Sequence, residues 1–189
     1  EAVVLDPKVE PNLCIPGKKI IADEVARLTG KAAAEIEPRF AFVKCAEPIT
    51  TAKKKYVYDG ISDCAAAFIL QNGPKVCEYG CIGLGNCVRA CVFDAMVMND
   101  QGLPVVNKDN CTGCGACATA CPKGVIAMIN PDAPVAIYCN SNEKGAQVRK
   151  NCKIACIGCG ICAKQCPYDA IKMVNNLAVV DSSICLEKC

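Results

Sequence analysis

The chain has 189 residues, of which 19 are cysteine, and it contains neither histidine nor tryptophan. Cysteine at this density indicates either a disulfide scaffold or a protein that binds metal clusters, while the lack of histidine excludes histidine-ligated haem, Rieske centres and most catalytic zinc sites. The net charge of +2 is too balanced for nucleic acid to be the main partner, and the sequence shown has no apolar run of the roughly 18 residues that a membrane span needs.

Residues 1–38 are predicted to form a helical leader. Within it, residues 19–29 carry apolar side chains at helical spacing, and Gly30 follows as a C-cap. The apolar face comprises Ile20, Ile21, Val25 and Leu28. Cys14 stands alone before this helix, and taken by itself it is typical of a small buried hydrophobe.

Residues 39–44 predict a short strand that ends at Cys45. The lysine run at 53–55 that follows is usually a solvated face, and the alternative is a docking patch for an acidic redox partner. Ser62 is predicted to cap a short helix that runs to Leu70, where a Gly-Pro pair ends it soon afterwards.

Two short strands, residues 96–98 and 103–106, are predicted to pair as a hairpin around the turn sequence at 99–102. A further strand is predicted at 125–129. Between the hairpin and this strand lies the densest cysteine run of the chain, CTGCGACATACP at 111–122.

This run has the spacing C-x2-C-x2-C-x3-C-P, which is typical of bacterial ferredoxins with [4Fe-4S] clusters. Its glycines, Gly113 and Gly115, allow a tight loop in which three thiolates converge on one cluster while backbone N–H groups point at the sulfurs. Cys121 then points away to a second cluster, and Pro122 turns the chain. The alternative is structural zinc, whose ligands usually come as C-x2-C pairs separated by a longer loop.

The second half of the chain repeats the first. The stretch GCIGLGNCVRACVFDAMVMNDQGLPVVNKDNC aligns with ACIGCGICAKQCPYDAIKMVNNLAVVDSSIC. The aligned pairs are Cys77 with Cys152, Cys81 with Cys156, Cys87 with Cys162, Cys91 with Cys166 and Cys111 with Cys185. The repeat extends upstream, where FAFVKC resembles VAIYC and pairs Cys45 with Cys139.

These elements predict an α+β fold of tandem ferredoxin-like two-cluster units with a small helical leader. The expected boundaries are 1–38 for the leader, 39–130 for the first unit with its preceding strand and helix, and 131–189 for a second, truncated unit. Because metal binding and folding are coupled in such domains, removal of iron is expected to unfold residues 77–189.

Four stretches resemble the B subunit of the Rnf complex: DGISDC at 59–64, CEYGCIGLGNCVRAC at 77–91, CTGCGACATACPKG at 111–124 and IACIGCGICAKQCP at 154–167. That complex is a membrane-bound oxidoreductase that passes electrons from ferredoxin to NAD or another acceptor, coupled to ion transport. The resemblance implies an electron-transfer subunit with three or more [4Fe-4S] clusters. It would accept electrons from reduced ferredoxin and relay them to other subunits at the cytoplasmic face of the cell membrane.

In this family the N-terminal part carries a membrane helix and then a separate motif of four cysteines. Cys14 resembles the last cysteine of that motif. The resemblance therefore implies that residues 1–38 are the remnant of an upstream cluster domain, and that membrane contact is made through an N-terminal anchor preceding Glu1.

In two-cluster ferredoxins the fourth cysteine of each run serves the other cluster. Carried onto this sequence, the first cluster takes Cys77, Cys81, Cys87 and Cys121, and the second takes Cys91, Cys111, Cys114 and Cys117. Leu84 stands where the regular run has a cysteine, so Cys77 is expected to substitute from farther upstream.

The second unit offers Cys152, Cys156, Cys159, Cys162, Cys166, Cys185 and Cys189. The remaining cysteines, Cys14, Cys45, Cys64 and Cys139, are either buried for packing or ligands of an additional centre. Basic residues at 53–55, with Lys123, Lys144, Arg149 and Lys150, are expected to help an acidic donor dock.

The sequence contains no nucleophile–base pair, P-loop or dinucleotide fingerprint. Conversion of an organic substrate by this chain is therefore not expected, although its complex is an oxidoreductase. Three alternatives stay open at this point: a soluble polyferredoxin that is not tied to a membrane complex, a structural zinc module used for protein interaction, and a catalytic reductase, which would need a flavin or nucleotide site.

Overall fold

A computed structural model describes residues 2–32 and 36–189. Its helices, in chain order, are α1 (Ala2–Leu5), α2 (Lys18–Thr29), α3 (Cys64–Ile69), α4 (Asn86–Arg89), α5 (Ala116–Thr119), α6 (Gly145–Asn151), α7 (Ile161–Gln165) and α8 (Ser182–Lys188). Its strands are β1 (Phe40–Val43), β2 (Met96–Met98), β3 (Pro104–Val106), β4 (Ile126–Ile129), β5 (Ile171–Val174) and β6 (Leu177–Val180). A short 3-10 turn, Ile15–Gly17, precedes α2. The mixture of helices and strands agrees with the predicted α+β class.

The strands pair as three separate antiparallel ribbons. β1 lies beside β4, with Phe40 opposite Ile129, and β2 lies beside β3 in the predicted first hairpin. β5 and β6 form the corresponding hairpin of the second copy. Asn175 and Asn176 connect them with φ angles of 47° and 63°, which is the left-handed geometry that a two-residue hairpin turn requires.

Helix α2 has nearly the predicted bounds, and Gly30 ends it in the left-handed region with its N–H bonded to Ala26 O. The predicted apolar face, however, is not the buried one. Ala22 and Ala26 are buried, whereas Ile20 and Leu28 are 80% and 70% exposed.

Helix α3 begins at Cys64 and is capped by Asp63, not by Ser62 as predicted. The Asp63 Oδ1 atom accepts a hydrogen bond of 2.8 Å from Ala66 N. An aspartate carboxylate is a favoured N-cap acceptor, since it satisfies one of the unpaired N–H groups of the first turn. The cap fixes where Cys64 stands.

The main hydrophobic core lies between the β1–β4 ribbon and the β2–β3 hairpin. Its buried members are Ala41, Val43, Cys81, Cys87, Met96, Leu103, Cys117, Val125 and Ile126. Three of these nine are cysteines, so thiols make up a third of the buried residues in this core. Within the described residues, no helix is both long and apolar enough to span a membrane.

Candidate iron–sulfur sites

The loop before α5 is shaped by glycine where backbone segments meet. Gly113 has a φ of 74°, and a Cβ on it would lie 2.3 Å from Arg39 O. Only glycine accepts both the left-handed conformation and this close approach. The loop carrying Cys111 and Cys114 is thereby pressed against the segment that enters β1, and Ala41 N donates a hydrogen bond of 3.5 Å to Cys111 Sγ.

Twelve of the cysteines line three cavities, four in each. The first cavity is lined by Cys64, Cys81, Cys87 and Cys121. The second cavity is lined by Cys91, Cys111, Cys114 and Cys117. The third cavity is lined by Cys45, Cys77, Cys139 and Cys152. Their empty volumes are similar, about 360, 310 and 440 Å³ in that order.

The second cavity gathers the four cysteines that the two-cluster pattern assigns to one cluster. Cys111 and Cys114 come from the loop before α5, Cys117 comes from α5 itself, and Cys91 comes from the stretch at 77–91. The remaining wall is apolar, with Ala41, Met96 and Met128 among its residues. An apolar wall around a cluster excludes water, and the N–H of Ala41 at the Cys111 sulfur is the kind of contact that tunes a cluster potential.

The first cavity is lined by three of the four cysteines predicted for one cluster, and its fourth cysteine is Cys64 where Cys77 was expected. The pKa of Cys87 is consistent with this lining. Burial raises the pKa of its thiol to about 11, and the nearby Cys121 and Cys64 thiols add to that rise. Cys77 lines the third cavity instead.

A hydrogen-bond network holds Cys64 against the cysteine run. Asn86 Oδ1 accepts a bond of 2.8 Å from Cys64 N, and Asn86 Nδ2 donates one of 2.8 Å to Asp63 Oδ2. Arg89 Nη2 donates to the same Asn86 oxygen at 2.6 Å. Hydrogen bonds from Ala66 N and from the Asn86 side chain lower the pKa of Asp63. Asp63 therefore caps α3 and also binds Asn86, which lies in the cysteine stretch at 77–91.

The sequence contains an indication that the first copy recruits a cysteine from elsewhere, although it does not identify Cys64. Leu84 replaces the regular cysteine, and two residues later stands Asn86, where the second copy has Cys159 and Ile161. Leu84 packs beside the buried cluster of Cys64, Ala67 and Ile82. The copy that lacks the inner cysteine is therefore the copy whose asparagine binds a cysteine from another segment.

The cysteines of the second copy stand on equivalent elements. Cys156, Cys159 and Cys162 lie at the loop before and the start of α7. Backbone N–H groups of Tyr168, Ala170 and Ile171 lower the pKa of Cys166, with Tyr168 first among them. Burial raises the pKa of Cys185, and the nearby Cys189 and Cys166 thiols add to the rise. Cys14 is exposed and lines none of the three cavities.

Burial also controls the thiols of the first and third cavities. It raises the pKa of Cys81 to about 12 and that of Cys152 to about 11. Such thiols hold their protons at neutral pH, so metal binding must release them. Across the described residues, no three side chains of His, Cys, Asp or Glu are gathered to hold a single metal ion, and the cysteines surround volumes instead.

The lysines predicted for docking are only partly free. Lys55 Nζ donates to Gln71 O at 2.6 Å and lies 3.6 Å from Glu78. Lys53 Nζ donates to Lys150 O, and Lys123 reaches Glu78 O. Lys53 and Lys55 therefore tie loops together, and the Lys55 side chain is only 22% exposed.

Two family models match the chain, a 4Fe-4S dicluster domain over residues 80–126 and a 4Fe-4S binding domain over residues 155–172. With the cysteine-lined cavities, they define an iron–sulfur protein of the ferredoxin type that carries multiple [4Fe-4S] clusters. Cys45, Cys64, Cys77, Cys139 and Cys152 lie outside both matched ranges.

Curated relatives cover most of the chain. It is 56% identical over 185 residues, 98% of its length, to the B subunit of the proton-translocating ferredoxin:NAD(+) oxidoreductase complex of Clostridium ljungdahlii. It is 41% identical over 143 residues, 76% of its length, to the B subunit of the ion-translocating oxidoreductase complex of Methanosarcina acetivorans. It is 39% identical over 144 residues, again 76%, to the B subunit of the Na(+)-translocating ferredoxin:NAD(+) oxidoreductase complex of Acetobacterium woodii.

The resemblance to the B subunit of the Rnf complex is therefore confirmed, and the chain is homologous to these three proteins. The matches span 65%, 54% and 43% of the relatives' own lengths, in the same order.

Proposed function

We propose that this chain is an electron-transfer subunit of a membrane-bound, ion-translocating oxidoreductase. It would accept single electrons from reduced ferredoxin and relay them to the other subunits of the complex. The observation that carries the proposal is the pair of adjacent four-cysteine cavities within one core, on elements that the dicluster model matches. The names of the C. ljungdahlii and A. woodii relatives, which include ferredoxin and NAD(+), support the choice of donor.

The proposal assigns ligands to tandem two-cluster units. In the unit at 39–130, one cluster takes Cys64, Cys81, Cys87 and Cys121, and the other takes Cys91, Cys111, Cys114 and Cys117. In the unit at 131–189, Cys156, Cys159 and Cys162 serve one cluster, while Cys166, Cys185 and Cys189 serve another. The leader at 1–38 stays a separate segment in this scheme, and its exposed Cys14 belongs to none of the clusters assigned to residues 39–189.

The chain's own residues do three things in this mechanism. Thiolates hold the iron, the core of β1–β4 and β2–β3 keeps water away, and N–H groups such as Ala41 N partly neutralise sulfur charge. A bound [4Fe-4S] cluster supplies a one-electron store. Because no bond in a substrate changes, the protein needs neither a general base nor a nucleophile.

The proposal places the chain on the cytoplasmic face of the cell membrane. Thiolates kept for iron need a reducing compartment, and the relatives' names describe translocating complexes. The exposed Lys53 and Lys54 would provide a basic surface for an acidic ferredoxin, so docking should weaken as salt screens the charges.

Reduction by ferredoxin tests the proposal directly. The anaerobically purified chain is mixed with reduced ferredoxin, and bleaching of its visible absorbance is followed at low and high salt. We expect rapid bleaching that slows with salt. A chain that dithionite bleaches but reduced ferredoxin does not would contradict the proposed donor, and failure to co-purify with membrane subunits from a tagged native strain would favour a free polyferredoxin.

A further inference from the structure

The third cavity brings together four cysteines from four separate segments. Cys45 follows β1, Cys77 lies four residues before Cys81, Cys139 follows residues 135–138, and Cys152 follows α6. All four cysteines line the same cavity, whose empty volume is about 440 Å³. These four thiols therefore form one group around a common space.

The group has the symmetry of the sequence repeat. Cys45 is the repeat partner of Cys139, and Cys77 is the repeat partner of Cys152. The edge-to-face contact of Phe42 with Tyr138, whose ring centroids are 4.6 Å apart, joins the two equivalent segments that lead into Cys45 and Cys139. Each copy thus contributes the same two cysteines, and the cavity lies where the copies meet.

The wall of the third cavity carries a buried positive charge. Lys75 lines it and is only 4% exposed, and its Nζ donates to Glu47 O at 3.0 Å. Among the described residues Lys75 makes no ion pair. A buried ammonium without a counter-charge is costly. Glu47 also lines this cavity, but its carboxylate accepts a hydrogen bond of 3.3 Å from Cys152 Sγ and makes no ion pair with Lys75 among the described residues. Four thiolates on an iron–sulfur cluster bring a net negative charge, which would provide the partner that Lys75 lacks.

We propose that Cys45, Cys77, Cys139 and Cys152 hold a further [4Fe-4S] cluster that bridges the two ferredoxin-type units. The site lies outside both 4Fe-4S family matches. The proposed site adjoins the cysteine stretches of both copies. Cys77 lies four positions before Cys81, and Cys152 lies four positions before Cys156. Only its role as a bridge rests on the proposed function, in which one electron enters from one neighbouring cluster and one leaves to the other.

Iron analysis of alanine variants tests the site. The full 189-residue chain is purified anaerobically as wild type, Cys45→Ala, Cys139→Ala and the double variant, and iron and acid-labile sulfide are counted per chain. Each single variant should lose about four irons and four sulfides, the content of one cluster. The double variant should lose the same four, because both cysteines serve one site.

Two control variants accompany this experiment, one expected to keep its iron and one expected to lose a different cluster. Cys14→Ala removes an exposed cysteine that lines none of the three cavities and is assigned to no cluster, so it should lose no iron, whereas Cys114→Ala should lose the cluster of the second cavity. Full iron in Cys45→Ala, or a loss of about eight irons in the double variant, would overturn the inference. If Cys114→Ala alone loses iron, the inference fails while the proposed function stands; if all sites hold iron but ferredoxin reduces none, the reverse is true.

Crystals of the anaerobic wild-type chain give an answer that does not depend on a variant folding. An anomalous difference map at the iron edge should show a compact group of iron peaks bounded by Cys45, Cys77, Cys139 and Cys152. A lone peak at the zinc edge between these residues, or no anomalous density there while the second cavity is filled, would refute the site.

Discussion

Single residues decide which cysteine serves which cavity. Asn86 accepts the N–H of Cys64 and donates to Asp63, so one amide side chain holds a cysteine from a segment 22 positions upstream. In the second copy Ile161 stands at that position and Cys159 replaces Leu84. The first copy thus draws a cysteine from another segment where the second copy has one in its local sequence.

This exchange yields a rescue experiment at the residue scale. Cys64→Ala should lose about four irons, the content of one cluster, because the first cavity loses a ligand. Adding Leu84→Cys should restore them, since it recreates the local C-x2-C-x2-C run of the second copy. Iron and sulfide analysis of the two variants and of Leu84→Cys alone, which should match wild type, checks this. Unchanged iron in Cys64→Ala would return the ligand role to Cys77.

Sequence reasoning grouped the four cysteines that line the second cavity, but not the four that line the first. The loop at 111–121 contains three of the second cavity's cysteines, so spacing along the chain describes most of that group. Cys64 and Cys77 differ only in which tertiary contacts they make, and no local pattern records that Asp63 will bind Asn86. Cys45 and Cys139 were paired by the repeat, but their meeting in one cavity required the fold.

At the scale of elements, the loops before the short helices are set by glycines in left-handed conformations. Gly113 and Gly115 both have positive φ, 74° and 81°. A Cβ on Gly113 would overlap Arg39 O, whereas one on Gly115 meets nothing within 4 Å. Alanine substitutions at Gly113 and Gly115 therefore distinguish the free-energy cost of a left-handed φ from the added cost of a steric clash.

Alanine at these two positions should destabilise the second cavity unequally. Gly115→Ala should cost about 1 kcal/mol for the left-handed conformation alone, and Gly113→Ala about 3 kcal/mol or more, since the loop must also move off β1. The midpoint of cluster loss in guanidinium chloride, followed by visible absorbance, measures both. Equal midpoints would show that the contact with Arg39 does not constrain the loop.

Local pattern sufficed for the hairpins and failed for the leader helix. β2–β3 and β5–β6 are neighbours in sequence with turn residues between them, so alternation and turn chemistry determine them. Burial of α2 depends on what it packs against. Its large apolar residues Ile20 and Leu28 face outward while Ala22 and Ala26 are covered, and helical periodicity alone cannot distinguish those faces.

At the scale of the whole molecule, the ribbons are joined through a core that contains cysteine as well as hydrocarbon. Three two-stranded ribbons are individually marginal, and Cys81, Cys87 and Cys117 occupy core positions between two of them. Burial raises the pKa of the Cys81 and Cys87 thiols, and these thiols lose their protons when they bind iron. Iron should therefore act as the centre around which residues 77–189 fold.

Chelation of iron tests this dependence across the chain. Stripping iron and sulfide anaerobically should expose the amides of residues 77–189 to hydrogen exchange, because the cavities lose the groups that join their walls. Mass spectrometry of peptides is the suitable measurement, since the chain has no tryptophan to report unfolding by fluorescence. Reconstitution with iron and sulfide should restore protection in the same peptides. An apo chain that keeps holo-like protection in β2–β3 and β5–β6 and unfolds cooperatively would show that the polypeptide alone specifies the core.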